Sequence, residues 1–169
     1  DDYVLPSQSF HDEFFQTVVQ RLRSCQVLTA PPALGKSTYL SYFVKQLQEA
    51  NIPVVRHHYF LKVGDRSYGR FDHSRIAESL MNDILTLYPQ AVGTLGARNP
   101  NPEELGNWLT TVGTHFASQG KLLVVVIDGL DHVWRERDSR DELIRLFEYL
   151  LPAPIGVVIV VGTQPVDDS

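Results

Sequence analysis

Gly35, Lys36, Ser37 and Thr38 stand in a row shortly after an apolar run, Val27-Leu28, and a Pro31-Pro32 pair. Residue types in that order can hold a polyphosphate. Successive backbone N–H groups of a tight loop, joined to the open donors of a helix N-terminus, make a concave anion site that needs no side-chain charge. Gly35 admits phosphate close to the backbone. Lys36 is a point cation on a flexible stem that reaches β- and γ-phosphate oxygens, and the Ser37 hydroxyl can ligate a magnesium ion bridging the same oxygens. The stretch from Ala30 to Ser37 follows the pattern G-x-x-x-x-G-K-[ST] except at its first position, where alanine replaces glycine. The nucleotide-binding residues read from it are Pro32, Ala33, Leu34, Gly35, Lys36, Ser37 and Thr38. A bare Gly-Lys-Ser also reads as a plain helix start, but the strand before it and the amphipathic run after it favour the phosphate loop.

A second group lies far along the chain. Six apolar residues, Leu122 to Ile127, end in Asp128-Gly129-Leu130-Asp131-His132. A continuous apolar run marks a strand buried on both faces in a parallel sheet, and an acid at its carboxyl end belongs beside the phosphate loop. Asp128 is therefore expected to hold magnesium with Ser37, directly or through a water. Asp131 reads equally as the group that orients or deprotonates an attacking water and as a helix cap, with His132 a weaker candidate. The catalytic set is Lys36, Asp128 and Asp131; the metal set is Ser37 and Asp128. Thr163 or Gln164 ends the last apolar strand, where a polar side chain can sense the γ-phosphate, although Gly-Thr-Gln-Pro is also a turn.

The elements that must position these groups are legible in part. Ser9 is expected to cap a first helix with Phe10, Phe14, Val18 and Leu22 on one face, after an extended lead-in. Tyr39, Leu40, Phe43, Val44 and Leu47 give the helix after the loop an apolar face. Asn51 and Pro53 break the chain before a second strand, Val54 to Leu61. A loop from Lys62 to Phe71 carries Arg66 and Arg70, either solvated or facing phosphate. Asp72 or Ser74 starts a helix bearing Ile76, Leu80, Ile84 and Leu87, and Pro89 to Pro102 reads as a long mobile connection. Asn101 as cap, Pro102 and Glu104 announce a helix with Leu105, Trp108, Leu109, Val112 and Phe116 as its stripe, and Ser139 with Glu142 caps another bearing Leu143, Leu146, Phe147 and Leu150. Val157 to Val161 is the last strand.

The totals exclude several classes. At 169 residues with 43% apolar residues, the chain has the length of one domain with a real core. A net charge of −5 without a dense Lys/Arg run disfavours nucleic acid or an anionic membrane as this domain's partner. Cys25 is the single cysteine, so no internal disulfide or cysteine zinc cluster can form, and a small buried hydrophobe in a reducing, cytoplasmic setting is the expectation. No apolar run reaches the roughly 18 residues of a membrane span, and no leader pattern opens the chain. Adjacent His57 and His58 on a strand point to opposite faces and cannot chelate one metal together. The whole is expected as one nucleotide-binding domain cut from a longer protein, with a lead-in and first helix over 1–25 and a core over 26–165.

Together the loop at 30–38, the strand His57-His58-Tyr59-Phe60, the run Val124 to His132 and the strand ending in Gly162-Thr163-Gln164-Pro165 resemble the STAND class of P-loop ATPases, NACHT-like members included. The resemblance implies a three-layer α/β P-loop NTPase sandwich with a mainly parallel sheet, the Thr163 strand lying between the phosphate-loop strand and the Asp128 strand. It implies ATP or ADP with Mg2+ as cofactors. It also implies slow hydrolysis used as a conformational switch, self-association of a larger protein, effector and sensor domains elsewhere, and a role in signalling or antiviral defence. ATP rather than another nucleotide rests on this resemblance. Tyr3 and Val4 then read as neighbours of the base or as an ordinary packed terminus. Ala33 and His132 depart from the family pattern, which often has glycine and a second acid there, and Gln164 stands where arginine is common. The fifth strand and the helical lid of such domains lie outside this chain. Two rival readings share the same loop: a non-hydrolysing nucleotide-locked scaffold and a small-molecule phosphotransferase.

Overall fold

A computed structural model of the chain describes residues 7–21, 24–29, 35–58, 73–129 and 140–163, with the backbone alone at 29, 36, 37, 58, 140 and 142. Four strands among the described residues, β1 (Cys25–Thr29), β2 (Val54–His58), β3 (Leu123–Asp128) and β4 (Val157–Thr163), form one sheet in the order β1-β4-β3-β2, every neighbouring pair parallel. The strand carrying Thr163 thus lies between the phosphate-loop strand and the Asp128 strand, as expected. Strands β2, β3 and β4 are rich in valine and isoleucine, which fit a pleated surface buried on both sides.

Period-two alternation divides the strand side chains between two cores. Val54, Val124, Val126, Val158 and Val160 face α1 (Gln8–Val19) and α2 (Lys36–Glu49), meeting Phe14, Leu40, Phe43 and Leu47. Val55, Val125, Ile127, Ile159 and Val161 face α3 (His73–Leu87), α5 (Leu105–Ser118) and α6 (Arg140–Leu150). The result is a three-layer α/β sandwich. Cys25 opens β1 half-buried against the second core, and burial pushes its thiol up from the usual range. No helix among the described residues is long and apolar enough to cross a membrane.

Several local expectations are corrected. Ser7 rather than Ser9 caps α1: its backbone is extended and its Oγ accepts from Phe10 N at 3.0 Å, which places Ser9 inside the helix. The buried line of α1 then runs His11, Phe14, Val18, and Phe10 sits at the margin, 39% exposed. His11 Nδ1 meets Tyr39 Oη at 3.0 Å within a cluster of rings that locks α1 onto α2. Leu22 lies outside the described residues.

The segment from Pro89 to Pro102, expected as a mobile connection, is folded. It forms α4 (Pro89–Val92) and a 3-10 turn, Gly93–Ala97, because Ala91 and Val92 find places in the core and Tyr88 Oη accepts from Val54 N at 2.9 Å. Asn101 caps a 3-10 turn, Pro102–Glu104, rather than the helix itself, which begins at Leu105. Trp108 is core. The β3 strand starts one residue later than the apolar run, at Leu123, and β4 continues past Val161 to Thr163. Asn51 adopts a left-handed backbone after α2, closing the helix with Ile52 N donating to Leu47 O at 2.9 Å.

Candidate functional site

The site grows from the start of α2. Gly35 is its N-cap residue with φ +74°, where a cap is ordinarily extended, and no side chain caps the helix. A residue with a Cβ meets its own carbonyl in this left-handed region, at a cost of about 1–2 kcal/mol, so the chemistry of the turn selects glycine. Lys36 is the first helical residue, Ser37 the second and the exposed Thr38 the third. The N–H groups of this first turn are left to other partners, the electrostatic condition for an anion site.

The sheet register brings the second group to the same edge. Leu28, Gly162, Asp128 and His58 form one row across the four strands, and Thr29 pairs with Thr163 one residue further on. Thr163 therefore ends beside the last residue before the phosphate-loop stretch. Asp128 is fully buried, on the face that packs against α2. Gly162 shows how close the two elements come: a Cβ built there would lie 2.5 Å from Leu40 Cδ1 and 2.8 Å from Asp128 Oδ1. Leu40 is one turn beyond Lys36, so the carboxylate lies beneath the opening turns of α2. Gly129, with φ +86°, turns the chain away directly after Asp128, its N–H donating to Gly162 O at 3.1 Å.

Two residues that sequence reasoning missed hold the acid. Arg56 Nη2 lies 3.6 Å from Asp128 Oδ2, and Arg56 Nη1 donates to Ser41 Oγ on α2 at 2.8 Å. A charged residue inside an apolar strand was the available signal, but its partner depends on register, which no local pattern reveals. Gly162 was read only within the Gly-Thr-Gln-Pro strand end or turn; a glycine within a strand also marks close approach, and that is its role here.

The residues present fit magnesium, a hard cation that takes oxygen ligands. Asp128 offers a carboxylate whose Oδ1 lies against Gly162, where a Cβ would come within 2.8 Å of it, and Ser37 is a hydroxyl-bearing residue type in the first turn of α2. Gly35, Lys36, Ser37, Thr38, Asp128 and Thr163 are thus brought to one edge of the sheet. Pro32, Ala33, Leu34, Asp131, His132 and Gln164 lie outside the described residues, as do Tyr3, Val4, Arg66 and Arg70. His57 packs towards α3, its Nδ1 3.3 Å from Ser79 Oγ, away from this edge.

Known proteins place the fold. The ORC2 protein of Aeropyrum pernix, solved as ADPNP–ADP complexes, superposes with a TM-score of 0.52 at 14% identity, over 97% of this chain and 43% of that one. The ORC1 protein of the same organism, solved in complex with DNA, gives 0.48 at 16% identity, over 96% of this chain and 40% of that one. The chain thus spans less than half the length of either. A search of curated proteins finds no match. The family model described as Nephrocystin 3, N-terminal matches residues 7–161, a span that runs from the cap of α1 into β4 and takes in the start of α2 and Asp128. The sheet order, the glycine-capped helix α2 and the acid ending β3 agree with the STAND-type resemblance of the sequence, and this P-loop NTPase domain belongs to the Nephrocystin 3, N-terminal family.

Proposed function

We propose that the domain binds Mg-ATP and hydrolyses it slowly, the bound nucleotide acting as a conformational switch for a larger protein. One observation carries the reading: a left-handed glycine opens α2 without a side-chain cap, and a fully buried aspartate ends β3 close to Leu40 of the same helix. In this reading the first-turn N–H groups and Lys36 neutralise phosphate charge. Ser37 and Asp128 would hold magnesium, which when bound polarises the phosphate oxygens. Asp131 positions the water for in-line attack on the γ-phosphate, and Thr163 or Gln164 registers the phosphate at the end of β4. The pairing of Thr163 with Thr29, the last described residue before the loop stretch, supports this role.

The test is titration of the purified chain with ATP and ADP, with and without magnesium, beside Lys36→Ala, followed by phosphate release from the same samples. Magnesium-dependent binding that Lys36→Ala abolishes, with slow release, is the expected result. Absence of binding to the wild-type chain refutes the reading. A second reading, a nucleotide-locked scaffold for self-association, draws on His132 and the alanines at 30 and 33. It predicts binding with no phosphate release, and no change in release on Asp131→Ala.

A further inference from the structure

Asp128 is fully buried, and the cation beside it comes from an element that phosphate binding does not require. A carboxylate removed from water is strongly disfavoured unless opposite charge and hydrogen bonds compensate it. Arg56 supplies that charge from the middle of β2. In the register Arg56 stands opposite Val126 and His58 opposite Asp128, so period two puts the arginine on the acid's own face, one step back from the sheet edge. Arg56 is 21% exposed on its side chain, and its other amino group is tied to Ser41, one turn after Ser37 on α2. One guanidinium therefore bridges the acid of β3 and the helix that opens at the phosphate loop.

The two oxygens of Asp128 face different neighbours. Oδ2 faces the guanidinium 3.6 Å away; Oδ1 lies on the Gly162 side, 2.8 Å from where a Cβ of that residue would stand. A dication arriving at this carboxylate meets a resident monocation. We infer that Arg56 is a positioning residue acting through Asp128: it supplies the countercharge before magnesium arrives and, by competing for the same carboxylate, limits how much magnesium adds to nucleotide affinity. The inference rests on the Mg-nucleotide site proposed above. Since Ser41 holds the other end of the guanidinium, any redistribution of charge at Asp128 is felt on α2 as well.

The experiment is calorimetric titration of the purified chain with ATP, in EDTA and in magnesium chloride. The ratio of the two affinities is the magnesium factor, taken for wild type, Arg56→Lys and Arg56→Met, with the ligand-free Tm of each. Arg56→Met is expected to raise the magnesium factor at least about fivefold, the lower end of ordinary coupling between two sites, while lowering the ligand-free Tm. Arg56→Lys keeps the charge, and its factor should stay within about twofold of wild type, too small for a coupling of that size. Should Arg56→Met fail to fold, Arg56→Gln replaces it with the same expected rise. A lower Tm with an unchanged or reduced magnesium factor makes the pair purely structural and overturns the inference, leaving the proposed function intact. A wild-type chain that binds no ATP, or binds it without any magnesium factor, overturns both.

Discussion

Gly162→Ala tests whether β4 and α2 approach as closely as the site requires. The added methyl would lie 2.5 Å from Leu40 Cδ1 and 2.8 Å from Asp128 Oδ1, both below any ordinary carbon contact. Leu40 can shift its terminal methyl. Asp128 cannot move as freely, because it is fully buried and its other oxygen faces Arg56. Overpacking of this kind costs about 1–3 kcal/mol. For a domain of this length each kcal/mol moves the melting temperature by about 2–4 °C, so a fall of about 2–12 °C is expected. Gly106→Ala is the contrast: its nearest neighbour would be Tyr149 O at 3.7 Å, within helix α5, and the same chemical change should stabilise by about 0.5–1 kcal/mol. The assay is thermal and urea denaturation of both variants beside wild type, followed by ATP titration with and without magnesium. The alanine at 162 should also reduce the magnesium-dependent part of the affinity, since it fills the space at Oδ1. Wild-type stability in Gly162→Ala would refute the close approach of β4, Leu40 and Asp128.

Three further outcomes follow from local features. Gly35→Ala should destabilise the fold by about 1–2 kcal/mol through its left-handed backbone, and weaken ATP binding more than Thr38→Ala does; equal stability by denaturation would mean the turn is not strained. Ser7→Ala removes the Oγ that accepts from Phe10 N, and a loss of about 1 kcal/mol in the same assay is expected. Asp83 on α3 has its carboxyl pKa raised by burial, so the fold favours its neutral form. Its favourable contribution is complete below the ordinary value of 3.8 and is lost as pH rises through the folded value, leaving a penalty at neutral pH. Asp83→Asn should therefore be more stable than wild type at pH 7 and equal to it in acid; a constant difference across that range would show that ionisation is not the cause.

The phosphate loop was legible because its chemistry is local. A glycine-led turn, a lysine and a hydroxyl must be consecutive to meet one polyphosphate, so Gly35, Lys36 and Ser37 announce themselves in order. The buried strand before Asp128 was legible for a similar reason, since six apolar residues admit few other readings. Helix edges were less secure: Ser7 and Ser9 have the same capping chemistry, and only packing of His11 and Phe14 against α2 chooses between them. Local polarity also misread Pro89 to Pro102, because Ala91 and Val92 are too few to form a pattern yet are enough to bury a turn.

The sequence by itself thus determined the residue types of the site and the alternation of helices and strands that yields a parallel sheet. The resemblance already put β4 between β1 and β3; tertiary structure alone decided the residue-by-residue register, and with it the pairing of Thr163 with Thr29, the closeness of Gly162 to Asp128 and the guanidinium of Arg56 beside that acid. The physical reason is distance along the chain. Arg56 and Asp128 meet through a register between strands separated, among the described residues, by helices α3, α4 and α5, and by more than sixty residues of sequence, and register is fixed by how whole elements pack.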